Sequence, residues 1–380
     1  MTSSCCRLCG GTLFPEPVLA LNGIPKAAQY YPEEKEFSED RGIVLSLCQC
    51  SACGLVQHNR APVDYFREVI TAASFSPKTR ATRLTQMRAW VGRNGLEGKK
   101  VLQIGSGKGD MLDILEEAGC QAFGLEASAD SVVHARSAGR KMMQGYIEDM
   151  QALDNEPFDG FIALNYLEHL PSPGAVIRKL YQHTGPDAAG YVTVPSLDFL
   201  LRTRTFYEFV ADHLSYFTTE TLTFAFESNG FDVLECALIN EDNDIAAAVK
   251  KRRPLDIAAD YREVEALIRD MRRIIDDARA KGRKVAVWGA GHRTLALLAL
   301  AGPKDIQYVV DSAPFKQGRF TPVTHLRIVA PEHLKQEKVD VVLVMVPGLY
   351  PDEVVRQLKG MDVGVDIAVL RDNKIQFEST

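Results

Sequence analysis

Four cysteines in two close pairs, three glycines behind an apolar run, and an acid beside a histidine are the residues of this 380-residue chain best suited to chemistry. Cys6-x-x-Cys9 and Cys50-x-x-Cys53 form two knuckles with 40 residues between them, a pattern that closes a tetrahedral thiolate shell around a zinc ion. Four protein ligands leave no open position, so the expected Zn2+ site is structural and Cys5 and Cys48 are spare thiols. In VLQIGSGKGD a strand runs straight into Gly105, Ser106, Gly107 and Gly109 before a helix begins. Missing side chains there let the backbone turn tightly and approach a ligand, and the helix start offers free N–H groups.

A second strand ends in FGLEAS, placing Glu126 21 residues after Gly105, with Ala127 next to it. A carboxylate at that distance accepts both hydroxyls of a ribose. The GxGxG spacing favours S-adenosylmethionine over a dinucleotide, because that cofactor has no pyrophosphate to lay on the helix. Tyr146 and Ile147 are placed to flank its adenine, and Asn165 ends the strand of FDGFIALN beside the same cleft.

Acid–base chemistry is read at Asp212 and His213, adjacent in a loop before the aromatic pair Tyr216 and Phe217. A histidine there takes a proton near neutral pH, and Asp212 either orients it or hydrogen-bonds the acceptor. Glu168 and His169 form a second acid–histidine pair, which the start of the following helix leads us to read as capping and packing. His134 and His183 read as residues of solvated helix surfaces.

The elements that must hold these residues follow from periodicity. Short apolar strands at Lys100 to Ile104, Gln121 to Leu125, Gly160 to Leu164 and Gly190 to Val194 alternate with helical stretches such as Lys108 to Ala118 and Ser172 to His183. That is a βαβ order and predicts a mainly parallel sheet. After Pro254 an amphipathic helix carries Ile257, Tyr261, Val264, Ile268, Met271, Ile275 and Ala278 at spacings of three and four, and reads as a bridging helix. From Lys284 a second strand–helix alternation begins. The fold class is therefore α/β in three parts: an N-terminal zinc-binding module at 1–75, a central Rossmann-like methyltransferase sheet at 76–252, and the bridging helix with a second Rossmann-like domain at 253–380.

The formal net charge of −6 gives no global attraction to nucleic acid or to an anionic membrane. No apolar run approaches the ~18 residues of a membrane span, and MTSSCCRLCGG lacks the regions of a signal peptide, so a cytoplasmic protein is expected. Reduced thiols in that compartment agree with six of eight cysteines clustering before residue 54 as metal ligands. The expected partner is a small-molecule acceptor, and the sequence leaves monomer and homodimer both open.

With the four paired cysteines, VLQIGSGKGD, GLEAS, ADHLSYF and VVDSAPFKQGRFTP all in order, the chain resembles the nucleotide-sugar C-methyltransferases of deoxysugar biosynthesis over nearly its full length. The resemblance implies a zinc module, a cofactor domain, and a C-terminal Rossmann-like domain that helps hold the nucleotide. It also implies that His213 removes the proton beside a keto group and that the resulting carbanion takes the methyl. Where that family carries glutamate the chain has Asp212, and where it carries tyrosines the chain has Val210, Trp288 and the tyrosine-free segment 69–74. Fewer phenol hydroxyls remain to bind and polarise a hexose.

The competing readings are an O- or N-methyltransferase acting on a non-sugar natural-product intermediate, a scaffold retaining the cofactor pocket, and a dehydrogenase using the second glycine turn. In that turn, WGAGHRT, Thr294 replaces the third glycine of a dinucleotide fingerprint, which speaks against NAD. Lys316 and Arg319 could meet a phosphate, although a solvated loop is the commoner reason for two such charges.

Overall fold

The computed structural model describes residues 5–66 and 75–378, so segment 69–74 lies outside the described residues. The chain divides after Arg253 into two compact units. In the first, β1 (Leu19–Ile24), β2 (Ile43–Gln49) and β3 (Val56–His58) pair antiparallel in sequence order. Helix α1 (Pro77–Asn94) follows, started by the Ser76 hydroxyl accepting from the Thr79 amide and stopped by Gly95 in the left-handed conformation.

The alternation then runs through β4 (Lys100–Ile104), α2 (Asp110–Glu117), β5 (Gln121–Glu126), α3 (Ala129–Ser137), β6 (Met142–Gln144), β7 (Phe158–Leu164), α4 (Pro173–His183) and β8 (Thr184–Pro195). It ends with α5 (Leu197–Thr203), β9 (Ser215–Tyr216), α6 (Thr219–Glu227), β10 (Phe231–Ile239) and β11 (Asp244–Lys251). Seven strands form one sheet in the order β10-β11-β8-β7-β4-β5-β6, parallel from β8 to β6 and antiparallel at the β10–β11 edge.

Strand order reverses at β4, whose Ile104 pairs with Leu125 of β5 and Ala163 of β7. The glycine turn, Glu126 and Asn165 therefore emerge side by side at the carboxyl edge, where doubly wound sheets bind ligands. Both faces of β4 are covered, Leu102 and Ile104 packing with Phe158 and Phe161, and Val101 with Met87, Met111 and Ile114. Strands buried on both faces read as continuous apolar runs, which is why these strands were legible.

The N-terminal strands lack a core of their own. Leu45 and Leu47 pack against Leu197, Leu200, Phe209 and Tyr216, and β9 adds to the small sheet as its fourth strand beside β3. His183 departs from its solvated reading: it is 3% exposed at the end of α4, with Nδ1 2.5 Å from Glu156 Oε2.

The second unit holds α7 (Ile257–Ala280), β12 (Val285–Trp288), α8 (His292–Ala301), β13 (Ile306–Val310), β14 (Ile328–Val329), α9 (His333–Gln336), β15 (Val341–Val344), α10 (Tyr350–Met361), β16 (Asp366–Arg371) and β17 (Lys374–Phe377). Its sheet order is β14-β13-β12-β15-β16-β17, parallel except for β17. Ile268, Met271, Ile275 and Ala278 of α7 are buried against this sheet, while Ile257 and Tyr261 in its first turns stay exposed. Among the described residues no helix is long and apolar enough to cross a membrane.

Candidate functional site

The glycine turn has the predicted geometry. Gly105, Gly107 and Gly109 all have positive φ, at 61°, 53° and 86°. A Cβ on Gly105 would lie 2.5 Å from the Tyr166 ring, so the turn needs glycine there for space as well as for conformation. Glu126 is 1% exposed, and its carboxylate accepts from the Gly107 amide at 2.8 Å and the Ser128 amide at 3.0 Å. The turn and the start of the next helix thus fix both carboxylate oxygens in place.

The other residues expected at the cofactor are placed less uniformly. The Ser106 hydroxyl turns into the core, donating to Met142 Sδ at 3.4 Å, so only its backbone borders the cleft. Ala127 is half-buried beyond Glu126, and Tyr146 and Ile147 are both buried after β6. The Tyr146 ring stands edge-on to Phe66 with centroids 6.3 Å apart. Asn165 adopts a left-handed φ of 45° at the end of β7, where its Oδ1 accepts from Thr193 Oγ1 at 2.6 Å and its Nδ2 donates to Asp244.

Beside this edge lies a pocket of about 250 Å³ whose lining includes Tyr65, Asn165, Tyr166, His169, Asp212 and His213. His213 faces it from the loop before β9, its ring edge-on to His169 at 4.8 Å. Burial, reinforced by His169 and then His58, pushes its pKa down to about 3, so the ring is neutral at physiological pH. Glu168, at 1% exposure, lies in the same cluster: one carboxylate oxygen and the ring nitrogens of His169 and His213 are all within 4.8 Å of one another. The capping-and-packing reading of Glu168 and His169 is thus replaced, because the short turn after Tyr166 directs both toward His213.

Asp212 does not spend its carboxylate on the ring of His213. Oδ2 accepts from the Ala28 amide at 2.7 Å and Oδ1 from the Tyr65 hydroxyl, while its backbone carbonyl accepts from His169 Nδ1 at 3.1 Å. The loop is pinned further by Leu214 N donating to the Glu168 carbonyl at 2.7 Å and by His58 Nε2 donating to the Ala211 carbonyl at 3.0 Å. Tyr65 was missed by sequence reasoning: it precedes the tyrosine-free segment and brings a phenol to the pocket from 147 residues away along the chain. Val210, lacking a hydroxyl of its own, has its backbone bound at both N–H and C=O by the Tyr216 hydroxyl.

The four paired cysteines also meet. Cys6 Sγ lies 3.6 Å from Cys53 Sγ and Cys9 Sγ 3.5 Å from Cys50 Sγ, and all four sulfurs fall within 4.8 Å of one another. A tetrahedral zinc–thiolate shell has sulfur–sulfur edges of about 3.8 Å, so the arrangement fits. Backbone amides of Leu8, Gly11, Ala52 and Cys53 point at these sulfurs at 3.3–3.4 Å, as thiolates require. Arg7, between the knuckle residues, donates to the carbonyls of His58, Arg60 and Pro171 and ties the module to the turn before α4.

In the second unit, the WGAGHRT turn borders a cavity of about 570 Å³ with Asp311 and Lys316. Asp311 accepts from the Ala290 amide at 2.7 Å, and Lys316 pairs with it at 3.0 Å, which answers that lysine's charge within the loop. Thr294 donates to the Met345 carbonyl instead of leaving the space of a third glycine.

Residues 78–236 match the family model of a methyltransferase domain, and residues 249–367 that of the C-methyltransferase C-terminal domain. The chain is 24% identical to the C-methyltransferase NovU of Streptomyces niveus, across 91% of this chain and 90% of that one. It is 34% identical to a ubiquinone biosynthesis O-methyltransferase of Idiomarina loihiensis, but only over 91 residues, 22% of this chain and 37% of that protein. Among solved structures it resembles the PH0226 protein of Pyrococcus horikoshii OT3 with a TM-score of 0.41 and 14% identity, covering 50% of this chain and 100% of the other. The likeness that extends through both units is to a carbon methyltransferase, whereas the oxygen methyltransferase is matched over about a fifth of the chain. The chain is an S-adenosylmethionine-dependent methyltransferase that resembles the C-methyltransferases along most of its length.

Proposed function

We propose that the enzyme methylates a carbon next to a keto group on a nucleotide-linked sugar, with His213 as the general base. The observation that supports it most is the convergence of neutral His213, His169, Asp212 and Tyr65 in one pocket that also contains Asn165 and Tyr166 at the cofactor edge. S-Adenosylmethionine supplies a methyl group on a sulfonium, a good electrophile that needs only a carbon nucleophile in line with it. The glycine turn, Glu126, Ala127, Tyr146, Ile147 and Asn165 would hold it.

A carbon acid differs from a hydroxyl or amine in that its nucleophile must be generated on the enzyme. His213, neutral in its half-buried loop, accepts that proton, and water exclusion keeps the carbanion for alkylation. Tyr65, its hydroxyl held on Asp212, and Tyr166 bring two phenols to the same pocket. Zn2+ bound by Cys6, Cys9, Cys50 and Cys53 would serve as a brace with no part in the chemistry. The turn cavity of the C-terminal unit, taken by itself, has the size of a ligand site.

Titration calorimetry with S-adenosylmethionine, thymidine diphosphate and NAD tests the reading. Saturable heats for the first two and none for NAD are expected. S-Adenosylmethionine binding without thymidine diphosphate binding would move the acceptor away from nucleotide sugars. His213→Ala should keep cofactor affinity within about twofold while lowering turnover on a keto-sugar nucleotide by about 10²-fold or more.

A further inference from the structure

The base proposed above has a difficulty that the same cluster answers. His213 is held neutral by burial, and its surroundings include His169, from the turn after β7, and His58, from β3, both of which oppose a positive charge on it. Accepting a proton creates an imidazolium there, and a buried cation without a partner is costly. Asp212, the adjacent acid, has both carboxylate oxygens engaged by Tyr65 and Ala28. One acid in the cluster keeps an oxygen without a partner. Glu168 Oε2 is buried with no hydrogen-bond partner, and Oε1 lies 3.8 Å from His169 Nε2.

An unpartnered buried carboxyl oxygen is unusual enough to need a reason. The Glu168 backbone is locked to the base loop by the bond from Leu214 N, so its side chain keeps station beside His213. We propose that Glu168 is the counter-charge of the base: as a carboxylate it stabilises the imidazolium formed on His213, acting through the His169–His213 ring pair. The inference rests on His213 being the base.

The balance is simple. The C–H bond breaks, its proton passes to a His213 ring nitrogen, and the electron pair stays on carbon to form the new bond to the methyl group, whose bond to the sulfonium of bound S-adenosylmethionine would break with its electrons left on sulfur as a neutral thioether. The positive charge ends on imidazolium, and the Glu168 carboxylate neutralises it until the proton leaves to solvent. The groups facing Glu168 are His169 on its own turn, His213 on the loop before β9, and Asp244 on β11, whose negative charge adds to burial in raising the Glu168 pKa to about 8. The working form is therefore the ionised one, gained as pH rises toward and past about 8. Glu168 acts as a positioning residue, since it does not line the pocket itself.

The test needs no acceptor. In the full-length protein with histidines labelled at Cε1, the ring signals of His213 and His169, assigned with His213→Ala and His169→Asn, are followed by NMR from pH 6 to 9.5 with S-adenosylmethionine affinity as a control for folding. Both signals should show a step near pH 8 that reports Glu168 ionising, and Glu168→Gln should remove it while cofactor affinity stays within about twofold. Glu168→Asp retains a titrating group and should retain the step at a shifted pH, which keeps the test decisive where the glutamine variant does not fold. A wild-type trace without the step, a step surviving in Glu168→Gln, or one unmoved in Glu168→Asp would overturn the proposal. Failure of the base assignment reads differently: full turnover by His213→Ala on a keto-sugar nucleotide, with the step intact, discards His213 as base without touching the ionisation of Glu168.

Discussion

Gly105 carries two constraints at once, a positive φ and the Tyr166 ring 2.5 Å from where a Cβ would stand. Gly105→Ala should therefore disturb the turn rather than merely strain it, at a cost of about 1–3 kcal/mol and a loss of S-adenosylmethionine affinity of tenfold or more by calorimetry. An alanine variant binding the cofactor normally would show that the Tyr166 ring yields freely. These residues were legible because the turn and its acid lie within one βαβ unit, where spacing along the chain maps onto spacing along a sheet edge. Tyr65, Glu168 and His169 were not, since nothing local ties residues 65, 168 and 213 together. Asp212 was found by its neighbour, but its true partners, Ala28 and Tyr65, lie beyond any short-range pattern.

At the scale of elements, the base loop is held between two supports. One is the turn after β7, through Leu214 and His169; the other is the cysteine-bearing sheet, through the β3–β9 pairing, His58 and the Tyr65–Asp212 bond. Tyr65→Phe removes a hydroxyl that donates to a carboxylate, worth about 1–3 kcal/mol, and should lower turnover more than it weakens cofactor binding. Equal losses in both would indicate that Tyr65 serves general folding. Removing the metal proposed for the four cysteines acts on the same support: a structural zinc shell contributes on the order of 10 kcal/mol to small modules. Chelation should thus abolish activity and loosen Ala28, Tyr65 and His58 in hydrogen exchange, with the glycine turn and β4 still protected. The strands of the parallel sheet were foreseeable from their apolar runs, whereas the two-residue β9 was not, because Ser215–Tyr216 has no periodicity and becomes a strand only by pairing with β3.

For the whole molecule, the buried ionisable groups set a pH optimum of stability. His213 and His58 are depressed from 6.5 to about 3 and about 4, and His169 is depressed as well, in each case first by burial. Between those values the unfolded chain binds protons that the folded chain refuses, so stability falls as pH drops below about 6.5. Glu168 works in the opposite sense: raised from 4.5 to about 8, it keeps its proton when folded, so its contribution is present at low pH and lost as pH rises through 8. Three histidines outweigh one acid between about pH 4.5 and 6.5, and above 6.5 Glu168 is the one of these four groups still titrating. The melting temperature should peak near pH 6–7 and fall on both sides, and Glu168→Gln should flatten the alkaline limb and steepen the acid limb between about pH 4.5 and 6.5. A monotonic rise to pH 9 by scanning fluorimetry would contradict this.

The pairing of Val56 with Tyr216 also has a temporal side. During synthesis residue 216 follows residue 56 by 160 positions, which at about 5–20 residues per second is a wait of about 8–30 s. Through that interval the N-terminal sheet exists as three strands with an open edge at β3 and with Leu45 and Leu47 lacking their partners from residues 197–216. An unpaired strand edge on a nascent chain invites wrong pairing. Early capture of a metal by the cysteine knuckles, complete once residue 53 has emerged, would hold the segment in a compact form until its fourth strand arrives, making the knuckles a device for translation as much as for the finished enzyme.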